Sequence, residues 1–358
     1  MERRQAKVFA AFLGLIIGWG CGGGSSASGS AGGTGTGGPS GTPSHWSVTV
    51  LAPSGVNNSA TYAVAPGYQA GSARLAGSNQ SAVIWHGSAA SVENFNPAGS
   101  DNSIIVAASS TDQGGTAVLG GIAHAALWHG TAASFVDLHP TGATYSTVKA
   151  LYGNEQGGNI GPGEQAAMWS GSAATFRRLQ PSGSTSSAVN GMGPGQQVGF
   201  FTAPSNAHGY AHACLWSGSA ASVSDLNGVL DSSQAFATDG VHQVGLADVP
   251  GITGSHAAMW SGTASSFVDL NPAGAGSSEA HAVSGRFQAG FAYSGALAAA
   301  ALWQGSARSW VNLHQFLPAG YKSSYAYSIV QTAGKVIVGG YAVDDAGTNA
   351  VAVIWVGR

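Results

Sequence analysis

The sequence predicts an all-β chain folded as a seven-bladed β-propeller, its last blade closed by the N-terminal strand. Three observations carry this: a tryptophan that recurs seven times, strand-like segments around each recurrence, and chain ends that complete one another. The recurring residues are Trp85, Trp128, Trp169, Trp216, Trp260, Trp303 and Trp355, at intervals of 43, 41, 47, 44, 43 and 52 residues. Four short strands per 40 to 50 residues is the size of a propeller blade.

Each tryptophan ends an apolar run: SAVIW, HAALW, QAAMW, HACLW, HAAMW, AAALW and VAVIW. Six of the seven continue with one residue and then Gly-Ser or Gly-Thr, as at Gly130-Thr131. Glycine before a small polar residue, between two apolar runs, predicts a two-residue type II′ hairpin. The returning strand reads SFVDLHP at 134–140 and SFVDLNP at 266–272, and a Pro-x-Gly turn follows in most units. Upstream lie Gln-x-Gly segments at Gln69, Gln113, Gln156, Gln197, Gln243 and Gln288, with Val338 in the seventh. Their amides are expected to satisfy backbone groups.

The ends fit this count. The last unit finishes near Trp355 without a fourth strand, while an unattached fourth strand, Trp46–Ala52, precedes the first unit. Together they complete one blade.

The register of the expected hairpin pairs residues whose numbers sum to 261 around Gly130-Thr131. His124 then faces Asp137, and equivalent arithmetic pairs His212 with Asp225 and His256 with Asp269. Where the histidine is missing the aspartate is missing too: Ser81 faces Asn94, Gln165 faces Arg178, Ala299 faces Asn312, and Val351 faces Val50. This pattern marks the His–Asp sets as structural cross-strand pairs. The three histidines lie in three blades, so they do not converge on a metal.

Charged residues are only 8% of the chain, yet hydrophobic content is 44%, with ten Trp, ten Tyr and twelve Phe, so a packed core is expected. Residues 1–20 hold three of the 12 basic and one of the 15 acidic side chains, which leaves a net charge of −5 beyond them. That excludes the basic stripe nucleic acid requires.

The N-terminus reads as a leader. MERRQAK is basic, and VFAAFLGLII at 8–17 has the length of a secretory apolar region and is too short to span a bilayer. Gly18-Trp19-Gly20-Cys21 resembles a bacterial lipobox, with Gly18 where Leu is usual. The resemblance implies a signal peptide over 1–21, lipid attachment at Cys21, and an outer-membrane or surface location. Without the lipid the protein is secreted. Residues 22–44, rich in Gly, Ser and Thr, are expected to form a coil with a mean span of about 25 Å. The propeller occupies 45–358. Cys214 replaces Ala or Val of the repeat and reads as a small buried hydrophobe.

At His124-Ala-Ala-Leu-Trp128, His212-Ala-Cys-Leu-Trp216 and His256-Ala-Ala-Met-Trp260 the chain resembles the bacterial HAF family of extracellular repeat proteins. The signature Phe is Ala or Cys here. The resemblance covers 46–358 and implies a secreted or surface protein with a propeller-like fold and no defined activity.

Catalysis in such a ring needs titratable groups on the inner strands, where the sequence places Lys149, Asp239, Glu279 and His281, with Tyr62, Tyr325 and Tyr327. No nucleophile triad, phosphate loop or CxxC pair is present. The favoured reading is a monomeric, exported, membrane-anchored binding or scaffold module without enzymatic activity or cofactor, its partner a surface glycan or another envelope protein. A polysaccharide-binding module is its sharper form. A carbohydrate-active hydrolase or lyase using the central channel is the reading from another class.

The anchor is directly testable by fractionation. Wild-type protein should partition with membranes and Cys21→Ser should not; equal release of both into the soluble exported fraction would refute lipidation.

Overall fold

The computed structural model describes residues 41–53, 56, 58–75, 79–203, 209–332 and 334–358; Cys21 and the rest of 1–40 lie outside the described residues. Seven four-stranded antiparallel sheets succeed one another along the described chain, with no α-helix among them. The protein is a seven-bladed β-propeller. Inner strands of blades 1 to 7 are Ser59–Ala65, Ser100–Ala108, Ser146–Tyr152, Ser187–Gly193, Ser232–Thr238, Ser277–Ser284 and Tyr321–Thr332. In each blade the inner strand turns into the second at one end of the body, where the third strand also finishes at its tryptophan: Gln113 pairs with both Ala108 and Trp128. This end is termed the turn face, and the opposite end the mouth face.

Blade 7 is closed by the strand Trp46–Val50, which pairs with Ala350–Gly357 from Trp46↔Gly357 to Val50↔Val353. The closing strand is where the sequence places it, but its register is shifted by two from the expected Val351.

The same shift of two occurs in every other blade, and its cause is the turn. Gly130 does adopt positive φ, +78°. The chain then enters one turn of 3-10 helix, Ala132–Ser134, before the outer strand. Ser134 Oγ fixes this turn by accepting the N–H of His129 at 2.7 Å and donating to Thr131 O at 2.6 Å. Ser91, Thr175, Ser222, Ser266 and Ser309 do the same in their blades. The two-residue hairpin is therefore a longer connection, and the observed pairs are Ala126↔Asp137, Val83↔Asn94, Ala167↔Arg178 and Ala301↔Asn312. The Gln residues act as expected on backbone: the side-chain oxygens of Gln69, Gln113, Gln156, Gln197, Gln243 and Gln288 accept the N–H of the turn glycine in six blades.

Each junction between blades repeats two contacts. A tryptophan packs against the outer-strand apolar residue of the preceding blade: Trp85 on Leu51, Trp128 on Phe95, Trp169 on Leu138, Trp216 on Leu179, Trp260 on Leu226, Trp303 on Leu270 and Trp355 on Leu313. All seven tryptophans are fully buried. Truncating such a side chain typically costs about 3–5 kcal/mol. Cys214 lies in the layer around Trp216, where burial pushes its thiol well up and leaves it protonated.

The second contact is a hydrogen bond. In blades 1 to 6 the outer strand pairs for only two residues, and in all seven blades the third-strand alanine three places before the tryptophan spends its N–H outside its own sheet. A buried serine on the next inner strand accepts it. Ser103, Ser146, Ser187, Ser233, Ser278 and Ser324 accept from Ala82, Ala125, Ala166, Ala213, Ala257 and Ala300 at 2.8–3.0 Å. Ser59 accepts from Ala352 at 2.9 Å across the closure.

Removing one hydroxyl strands a buried N–H. Ser187→Ala should destabilise by about 1–3 kcal/mol, and Ser59→Ala should do likewise because the closure junction is chemically the same. Chemical denaturation of both variants checks this; a loss at Ser187 with none at Ser59 would refute equivalence of the seam.

Candidate functional site at the propeller axis

The inner strands are not regular. All seven share a β-bulge at an equivalent position, with a second register shift near the start of the strand in blades 2 and 7. The residues of the shared bulge are Tyr62, Val106, Lys149, Asn190, Phe236, His281 and Tyr327. A bulge swings a side chain out of the pleat. The glycine of each Gln-x-Gly is required by it: a Cβ on Gly71, Gly115, Gly158, Gly199, Gly245, Gly290 or Gly340 would stand 1.8–1.9 Å from the inner-strand carbonyl oxygen opposite. That explains why the seventh unit keeps Gly340 although its Gln has become Val338.

These seven side chains are 0–7% exposed, and they fill the axis at this level. Tyr62 meets Tyr327 edge-on at 5.6 Å, Phe236 stacks on His281 at 4.7 Å, and His281 lies 4.8 Å from Tyr327. Lys149 Nζ donates to Asn190 Oδ1 at 3.3 Å and stands 3.7 Å from Glu164 Oε1. Asn190 in turn donates to the backbone oxygen of Ala235 in the next blade.

Toward the mouth face, two residues before each bulge, the repeat symmetry breaks. Blades 1 to 4 carry Ala60, Ile104, Thr147 and Ala188, all buried. Blades 5 to 7 carry Gln234, Glu279 and Tyr325, all partly exposed. Tyr325 stacks on Tyr341 at 4.8 Å, and Tyr293 crosses Tyr325 at 6.4 Å with Phe291 beneath. Glu279 Oε2 lies 2.8 Å from His281 Nε2, so one carboxylate oxygen is held from below while the side chain stays 29% exposed. Burial, then interaction with Tyr325 and Glu279, pushes the Tyr293 hydroxyl up; burial and Glu279 push Tyr325 up against the opposing effect of its bond to Tyr293. Both hydroxyls therefore remain donors. The arrangement offers ring faces, phenolic hydroxyls, a carboxylate and an amide on one wall.

The candidate catalytic residues read from sequence are only partly brought together. Lys149, His281, Tyr62 and Tyr327 share the axial ring, with Glu279 and Tyr325 on the level above. Asp239 does not join them: it lies in the turn of blade 5, where Oδ1 accepts the N–H of Val241 and His242. Among the described residues no group of three or more His, Cys, Asp or Glu could hold a metal ion.

The His–Asp sets lie far from the axis, on the third and fourth strands. Nδ1 of His124, His212 and His256 is 2.8, 2.8 and 2.7 Å from Oδ2 of Asp137, Asp225 and Asp269. The contact is diagonal, since Asp137 is opposite Ala126 and His124 stacks instead on His139, at 4.0 Å. The other aspartate oxygen accepts a backbone N–H two residues on, at His139, Asn227 and Asn271. Asn94 and Asn312 make that same backbone bond where no histidine is present. Aspartate thus replaces asparagine where a second acceptor is needed for the histidine.

No protein-family model and no curated protein sequence matches the chain. Among solved structures it is similar to a puromycin hydrolase complexed with PGG, at 11% identity and a TM-score of 0.53, over 84% of this chain and 54% of that one. A Mycobacterium tuberculosis puromycin-hydrolyzing peptidase gives 12% identity and 0.53, over 83% and 53%. At such identity the likeness is one of fold alone, and the chain spans about half the length of these proteins.

Sequence reasoning missed the junction serines, the bulges, and the reason for His139 and His314. In five blades the residue after the outer-strand Leu or Phe meets the junction serine: Asn96, Asn227 and Asn271 accept its hydroxyl proton at 2.5–2.6 Å, and His139 and His314 stand in the same place. His139 meets it through Nδ1, 2.8 Å from Ser146 Oγ, while Nε2 faces the oxygen of Ala143 at 3.2 Å. A carbonyl only accepts, so Nε2 carries a proton, and with Nδ1 accepting the serine hydroxyl as the asparagines do, the ring is neutral. Burial, then the neighbouring His124, lowers the His139 pKa, and burial lowers that of His314. A depressed histidine binds fewer protons folded than unfolded. The stability it contributes is complete above about pH 6.5, its ordinary value, and is lost as pH falls through the lowered folded value.

His139→Asn, which installs the residue used in blades 1, 4 and 5, should therefore flatten the decline in melting temperature between pH 7 and pH 5. An unchanged pH slope would refute the neutral-histidine assignment.

Proposed function

We propose that the chain is an exported, membrane-anchored propeller that binds or scaffolds a partner without catalysing a reaction, and that it does so at the mouth of the axis over blades 5 to 7. One observation carries this reading. A repeat built for symmetry keeps equivalent positions equivalent, yet at the level above the bulges Gln234, Glu279 and Tyr325 depart from the small and aliphatic residues of blades 1, 2 and 4. A partner approaching along the axis meets that departure first.

The chemistry suits a hydroxyl-rich chain such as a surface polysaccharide. Ring faces of Tyr293, Tyr325 and Tyr341 offer apolar contact to the C–H face of a sugar, while Glu279 and the phenols offer hydrogen bonds to its hydroxyls. Binding is favoured over hydrolysis because Asp239 and Glu279, the carboxylates that a glycosidase mechanism would pair across one bond, lie at opposite ends of the inner strands.

Calorimetric titration of the purified body with envelope polysaccharides, with a parallel assay for newly formed reducing ends, tests this. Tyr325→Ala and Glu279→Gln should each weaken binding about tenfold, roughly 1.4 kcal/mol. Tyr325→Ala should also lower the melting temperature by losing its packing on Tyr341 and Phe291, so affinities are compared at a temperature where both variants are folded. Accumulating reducing ends, or variants that bind as wild type does, would overturn the proposal.

A further inference from the structure

Charge is distributed unevenly between the two faces of blades 6 and 7. On the turn face stand Arg286, in the turn after the inner strand of blade 6, Arg308, in its 3-10 turn, Lys335, opening the second strand of blade 7, and Arg358, next to the closing strand. All four are exposed. The acidic residues of these two blades, among the described residues, are Glu279, Asp344 and Asp345, and all lie toward the mouth face. On the turn face, acidic residues belong to other blades: Glu93, Asp112, Glu155 and Asp239 in blades 1, 2, 3 and 5.

The described chain also begins among these cations. Ser44 and His45 donate to the oxygen of Arg358 at 3.0 and 3.3 Å, and Arg358 returns a bond to His45. Arg286 Nη2 donates to the oxygen of Gly41 at 2.8 Å, and Gln304 donates to Thr42. Residue 41 therefore stands over blade 6 on the turn face, within the group of positive side chains.

We infer that the turn face of blades 6 and 7 is a docking surface for an anionic lipid bilayer, which holds the propeller with its mouth directed away from the membrane. This rests on the anchored reading of Cys21 given above. Nineteen residues separate Cys21 from Gly41, so an anchor there keeps this corner of the body near the lipid surface. Clustered Lys and Arg are attracted to anionic head groups within a Debye length of about 8–10 Å. Inner strands of 8 and 12 residues in blades 6 and 7 place the acidic mouth face about 25 Å away or more, too far to cancel that attraction. The partner is a lipid surface and not a nucleic acid because four cations on one corner, with acidic residues on the rest of the same face, form no continuous stripe.

The test bypasses natural lipidation. The chain from Cys21 onward contains every strand of the ring; its Cys21 thiol is coupled to a maleimide phospholipid in vesicles, and Cys214, fully buried, does not compete. Amine labelling with mass spectrometry then compares Lys335 on the turn face with Lys322 on the mouth face. On vesicles of phosphatidylcholine with phosphatidylglycerol, labelling of Lys335 should slow at least threefold relative to phosphatidylcholine alone, with Lys322 unchanged. Half-molar salt, or Arg286→Glu combined with Arg308→Glu, should abolish the protection. Equal labelling of Lys335 on both vesicles, or protection of Lys322 instead, would overturn the docking surface. Because the anchor is synthetic, either result stands apart from whether Cys21 is acylated in the cell, which fractionation of Cys21→Ser decides.

Discussion

The ring depends on a hydrogen bond that no single blade can make for itself. In blades 1 to 6 the outer strand leaves the ladder after two residues, and in all seven blades one buried N–H of the third strand finds its partner outside its own sheet. The serine that accepts it belongs to the next blade. A lone four-stranded unit of this sequence therefore carries a buried donor that only a neighbour can satisfy, and the neighbour has the same need. Repeated seven times, the requirement ends only when blade 7 meets blade 1, where Ser59 accepts from Ala352. The tryptophan layers supply most of the apolar burial, but they are tolerant of small displacements. The serine bond, at about 2.9 Å, fixes how each blade sits on the next.

The architecture was legible because it is written seven times. Tryptophan spacing counted the blades, and the unattached strand at Trp46 located the closure. Register was not legible, because Gly-Ser and Gly-Thr look like a two-residue hairpin. The serine or threonine three residues further on, present in all six such connections, was the available signal that a 3-10 turn follows. The junction serines were equally available, three residues before each bulged position, but serine is frequent enough in this chain to hide a pattern of seven. The Gln-x-Gly glycine was visible as a motif while its cause was not, since the close approach to a bulge carbonyl is a property of two strands at once.

The candidate site was legible in part for the opposite reason. Lys149, Glu279, His281 and the tyrosines stand out because they break the repeat, and the structure gathers them at the axis. Asp239 was misassigned by a margin of a few residues: Phe236 three places earlier is the bulge, and the strand has reached its turn by Asp239. The histidines shared by several blades stand at the periphery and complete a backbone network, which is where residues repeated with the fold are expected. Residues that vary between blades, not those that recur, mark the surface on which this protein differs from a bare scaffold.

The seam in blade 7 also imposes an order in time. The strand Trp46–Val50 is among the first parts of the body to leave the ribosome, and its partner Ala350–Gly357 is among the last. Leu51, already synthesised, waits for Trp85 on one side and for Ala352 and Ile354 on the other. Blades 1 to 6 can each pair their own strands as soon as four are available, whereas the seventh has no complete sheet until about three hundred residues have passed between its two halves. An arc of finished blades with two unsatisfied ends must then persist, and its final locking joins the oldest segment to the newest. Contacts so distant in sequence form slowly, and the pairing that makes the body a ring, from Trp46 to Gly357, joins the two strands that lie farthest apart along the chain.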